Sequence, residues 1–166
     1  MSTPPLYRLA LTAFQDARAR LDENLADVLD PGRALVSAME AAYWANALDL
    51  RLREDDPSYN RLNGDGPDLM RAIRFVRNRA AHHLPLVVEL TGGIRAPLVF
   101  PLTVEPIVIR WVSAASLPLP TEERHKNLKG EALYVKRMEG REVRGVLTDV
   151  GRWLSTEQSR PGSLLN

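Results

Sequence analysis

Between Arg71 and His83 the sequence gathers four arginines, one asparagine and two of the chain's three histidines. An imidazole with an ordinary pKa near ~6.5 can take or give a proton around neutrality. A guanidinium offers a fixed cationic fork for phosphate oxygens. Together these groups suit phosphoryl chemistry that needs no metal. RNA is cut in this way when a base removes the 2′-OH proton and the freed oxygen attacks the neighbouring phosphorus. A second group then protonates the leaving 5′-oxygen while a cation stabilises the charged phosphorane. Three histidines without a cysteine, two of them adjacent, give no recognised metal-ligand spacing, so no metal or other cofactor is expected. There is no phosphate-cradling glycine loop and no nucleophile elbow either.

The run Arg77-Asn78-Arg79-Ala80-Ala81-His82 resembles the signature of the HEPN superfamily. That pattern is an arginine, four to six residues, then a histidine, often with a polar residue directly after the arginine. The superfamily consists of compact helical domains, many of them metal-independent ribonucleases of toxin–antitoxin, CRISPR-associated and phage-defence systems. The resemblance implies His82 as general base or acid, Arg77 as clamp on the transition state and Asn78 as orienting group, with His83, Arg74 and Arg79 as supporting residues. His83 is the alternative imidazole; His82 is preferred because it stands one helical turn from Asn78. The resemblance covers the first three helices and the last, whereas residues 85–130 depart from it.

Within a single helix, positions five apart lie about 140° around the axis and about 7.5 Å along it. Arg77 and His82 therefore do not share a face, and one chain offers an incomplete set. HEPN domains are usually built as pairs that bring both motifs into one cleft, so a homodimer is expected. RNA and an antitoxin or other protein are the further partners implied.

The elements that must position these residues read as mainly α, a HEPN-like helical bundle. Leu9, Ala13, Ala17, Leu21, Leu25 and Val28 recur at three- and four-residue steps, predicting a first helix over about 6–29 with one apolar stripe. Asp30 suits an N-cap and Pro31 the first position of a second helix, about 31–53. Its inner face is read as Leu35, Met39, Ala42, Tyr43, Ala47 and Leu50. So tight a connection makes the two an antiparallel hairpin. Turn residues fill 55–67. A third helix follows from about Asp68 with Leu69, Ile73, Val76 and Ala80 inward, and Pro85 stops it. Residues 85–120 are rich in β-formers but broken by six prolines and Gly92-Gly93, predicting two or three short strands or extended segments. This irregular excursion, 85–129, interrupts a single domain spanning 1–157. Helix resumes over about 130–138 and 141–156, the latter with Val143, Val146, Leu147, Val150 and Leu154 inward, and 158–166 reads as a flexible tail.

At 166 residues the chain is one domain in size, with 45% hydrophobic and 26% charged residues, ordinary for a globular protein. No apolar run is long enough to span a bilayer. The absence of cysteine and of a visible secretory signal leads to the expectation of a cytoplasmic protein. The net charge of +1 divides into −3 over residues 1–62 and +4 over 63–166. This weak polarity places the positive half around the motif. Arginine outnumbers lysine 19 to 3, as a GC-rich genome would also produce.

Each feature has a plainer explanation. The arginines of the third helix suit a solvated face near a negative helix end, and the histidine pair suits a C-cap. Glu40, Trp44 and Asp49 could line a cleft, but as isolated residues they read as two solvated acids and a partly buried ring. Trp111 and Trp153 read as core, and His125 as part of a charged surface run. A non-catalytic helical module that binds protein or nucleic acid is the competing function.

Overall fold

The computed structural model describes residues 6–27, 30–80, 88–93, 105–117 and 126–166. The fold is mainly α. Among the described residues five α-helices, α1 (Leu6–Leu25), α2 (Pro31–Asp55), α3 (Asp65–Ala80), α4 (Leu128–Arg137) and α5 (Val143–Gln158), enclose one core, and a two-stranded sheet of β1 (Val88–Gly93) and β2 (Glu105–Trp111) packs on it.

α1 and α2 form the expected hairpin, but both faces differ from the expected stripe. Phe14, Ala17 and Leu21 of α1 are buried while Leu9 points outward; the helix stops at Leu25, and Val28 lies outside the described residues. In α2 the buried side belongs to Ala34, Ala38, Ala41, Ala42 and Ala45 with Leu48 and Leu52. Leu35 and Met39 are only partly covered, and Tyr43 (47%) and Leu50 (44%) are exposed. The reason is position: α2 packs against α1, α3 and α5 at once, so small side chains that admit three neighbours outrank large ones. Asp30 sits at the N-cap, yet its carboxylate pairs with Arg33 (2.9 Å) rather than capping the helix, and Pro31 holds the first position as expected.

α3 begins three residues earlier than expected, after Gly64 (φ +110°) turns the chain where a side chain would be strained. Its inward residues Leu69, Ile73, Val76 and Ala80 are all buried, joined by Met70 and Phe75. α4 is capped by the Asn127 side chain, which accepts from the Gly130 N–H at 2.9 Å. Tyr134 of α4 packs on Phe75 (ring centroids 5.8 Å) and donates its hydroxyl to the Val112 carbonyl at 2.6 Å, tying α3, α4 and the end of β2 together.

The strands pair antiparallel, Val88 opposite Trp111 and Thr91 opposite Val108, with an irregularity before Gly93. β2 is also bound along part of its length by the turn between α4 and α5. Gly140 (φ +69°) reverses the chain, so that its N–H reaches the Trp111 carbonyl (2.9 Å) while the Trp111 N–H reaches the Arg141 carbonyl (3.1 Å). Trp111 is fully buried, as expected of a core residue.

In α5 all five predicted inward residues are fully buried. The expected loose tail over 158–166 is corrected by a polar clamp. Arg160 bonds Glu157 through Nε (2.9 and 3.0 Å), Ser58 through Nη1 (2.6 Å) and Asp56 through Nη2. Ser163 donates to Glu157 (3.1 Å), and Leu165 is buried. Burial works to raise the Asp56 carboxyl, but hydrogen bonds from Ser58, Arg160 and Tyr59 outweigh it and hold the group below the usual aspartate range.

Candidate functional site

The arginines of α3 meet different partners at successive turns, because α2 runs alongside and presents different residue types. Arg71 pairs with Asp68 of its own helix at 3.0 Å. Arg74, one turn on, reaches across to Asp49 of α2 at 3.8 Å. Arg77 instead lies over the ring of Tyr43, its guanidinium carbon 5.7 Å from the centroid. Its Nη1 also approaches the Asn78 Oδ1 at 3.5 Å, a long contact. Arg79 packs over Phe75 at 5.2 Å. Among the described residues no carboxylate lies within ion-pairing distance of Arg77.

Asp49 was expected to be solvated. It is 0% exposed. Its Oδ2 accepts from Arg53 Nε at 3.0 Å and faces Arg74, while its Oδ1 accepts the Tyr59 hydroxyl at 3.0 Å. A carboxylate with no water needs such a set of donors, since an uncompensated buried charge is costly. Burial and the Asp49 charge push the Tyr59 hydroxyl far above its ordinary pKa, so it stays a donor. Burial also lowers Arg74, with Asp49 working against that shift. The spacing of Asp49 and Arg53, one helical turn, is a sequence signal for this cluster. The contribution of Tyr59, from the turn after α2, carries none.

Of the other candidates, Glu40 is taken by Arg20 of α1 (2.7 Å) and Trp44 sits edge-on to Tyr43 (centroids 5.4 Å). One turn beyond Tyr43 the buried Asn46 leaves its Oδ1 without a hydrogen-bond partner among the described residues. The motif is therefore brought together in part. Arg77 is half-buried and Asn78 exposed, adjacent in the last turn of α3. His82, His83 and His125 lie outside the described residues.

No family model matches this chain, and neither the curated proteins nor the solved structures contain a significant match. The chemistry thus rests on the residues themselves. Arg77, in the last turn of α3, has its guanidinium carbon 5.7 Å from the Tyr43 centroid and no carboxylate partner among the described residues, an arrangement of the kind that can receive an anion. Among the described residues no cluster of histidine and acidic side chains could hold a metal ion, and no helix is long and apolar enough to cross a membrane.

Proposed function

We propose that the chain is a HEPN-like, metal-independent endoribonuclease of the toxin or phage-defence kind, working in the cytoplasm as a homodimer. The observation that carries this reading is the contrast within α3: Arg71 and Arg74 are neutralised by aspartates, whereas among the described residues Arg77 faces Tyr43 and Asn78 and no carboxylate. On this reading His82 removes the 2′-OH proton, the oxygen attacks phosphorus, and the P–O5′ bond breaks as an acid protonates the leaving oxygen. The products are a 2′,3′-cyclic phosphate and a 5′-hydroxyl. Arg77 holds the phosphoryl oxygens as charge builds, and Asn78 orients the scissile group.

A second copy completes the set of groups. Support for pairing comes from Val36, Tyr43 and Leu50, all exposed on α2 at seven-residue intervals, the spacing that keeps apolar side chains on one face of paired helices. The same stripe equally favours a second reading, a non-catalytic helical module that docks a protein partner such as an antitoxin. Single-stranded and structured RNA incubated with protein in EDTA separates the two. Wild type should cleave and leave cyclic phosphate ends, while Arg77→Ala and His82→Ala should each lose about a hundredfold or more of the rate. Wild type no more active than His82→Ala would end the catalytic reading.

A further inference from the structure

At the other end of α3, roughly 16 Å along the helix axis from Arg77, a cleft of about 340 Å³ opens between the first turn of α3, the end of α4 and the middle of α5. We propose that this cleft binds a small phosphate monoester carried on a planar ring, at a site separate from the Arg77 region and independent of the nuclease reading.

Three guanidiniums line it, those of Arg137, Arg141 and Arg152. Arg137 pairs with Asp65 and, at 3.7 Å, with Asp68, while Arg141 and Arg152 share the single carboxylate of Asp149, one on each oxygen at 2.7 Å. Asp149 is kept below the usual carboxylate range, first by its hydrogen bond from Arg141, so it stays ionised and holds both forks in place. A guanidinium has five N–H donors. Arg141 places Nη2 on Asp149 and Nη1 on the Arg137 carbonyl (2.8 Å), and Arg152 places Nη1 on Asp149. Donors remain on both, side by side at the rim. Arg137 is the least exposed of the three, with 19% of its side chain open against 45% and 72% for Arg141 and Arg152, so packing fixes its fork.

The apolar wall is equally specific. The Trp153 indole lies directly against Gly66, where an added Cβ would fall 2.3 Å from ring atoms. No side chain at position 66 is compatible with that ring position. Trp153 and Leu69 give the cleft an apolar wall beside the cationic rim. An apolar wall and clustered arginines suit an aromatic ring and a phosphate, whose oxygens and near-double charge match the guanidinium donors better than a carboxylate does. The cleft volume is at the small end of the range for ligand sites, which fits a mononucleotide-sized molecule.

Tryptophan fluorescence titrations with adenosine 5′-monophosphate, adenosine and inorganic phosphate test this. Adenosine monophosphate should saturate below about 1 mM, with adenosine and inorganic phosphate each about tenfold weaker or worse. Arg152→Ala, whose side chain is 72% exposed and so not needed for folding, and Arg141→Ala should each weaken binding by about tenfold or more. No saturation by adenosine monophosphate below about 10 mM, equal binding of adenosine, or an Arg152→Ala variant with unchanged affinity overturns the proposal. Inorganic phosphate binding as tightly as the nucleotide overturns the role given to the Trp153 wall.

Discussion

Arg74 and Arg77 stand one turn apart on the same helix and do opposite things. Arg74 is drawn inward to a carboxylate that no water reaches, and its charge is consumed in holding α3 against α2. Arg77 meets an aromatic face and, among the described residues, no carboxylate. The difference is set by α2, which presents Asp49 at one level and Tyr43 at the other. Residue type therefore does not tell a paired arginine from one that is not; the neighbour across the helix interface does.

The largest effect in this comparison is expected from the buried side. Asp49→Ala leaves Arg53 and Arg74 half-buried without their common partner and should cost about 3–5 kcal/mol in urea unfolding. A loss near zero would mean that the cluster is structurally idle and that Arg74 resembles Arg77 after all. The Arg160 clamp provides a second buried case with a pH signature. Asp56 has a lowered folded pKa, so its contribution is present above the ordinary aspartate value of ~3.9 and disappears as pH falls through the lower folded value. Arg160→Ala should cost about 3 kcal/mol near neutrality, and its gap to wild type should narrow as the solution is taken below about pH 4. A gap independent of pH would remove Asp56 from that account. The smallest effect belongs to the exposed side. Tyr43→Leu removes the ring beneath Arg77 and keeps the apolar body. An exposed cation–π contact is worth about 0.5–1 kcal/mol, so urea unfolding should move by no more than that, RNA cleavage should fall only about two- to fivefold, and Tyr43→Phe should restore both.

The sequence was most legible where one face of a helix meets one neighbour. α5 is such a helix, and its five apolar positions all reach the core. It was least legible in α2, where burial on several sides made alanines the core and left Tyr43 and Leu50 outside. The large residues there misled because size signals burial only where there is room for it. The tail failed for a related reason: Ser163 and Arg160 look like solvated residues, but Glu157 binds both of them, and Asp56 and Ser58, a hundred positions earlier, hold Arg160 inward. Of the candidate site, Arg77 and Asn78 fall together at the end of α3 as their spacing suggests. The inward turn of Arg74 was not legible, since Asp49 and Tyr59 converge on it only through tertiary packing.

The contact between Asp56 and Arg160, separated by 104 positions, also bears on how the molecule is made. α1 and α2 are joined by local pairing, but the carboxylates of Asp56 and Glu157 find their counter-charge in Arg160, far along the chain from α2. A chain halted before Arg160 would leave both buried carboxylates without a guanidinium, so this corner of the interior is among the last parts that synthesis can complete.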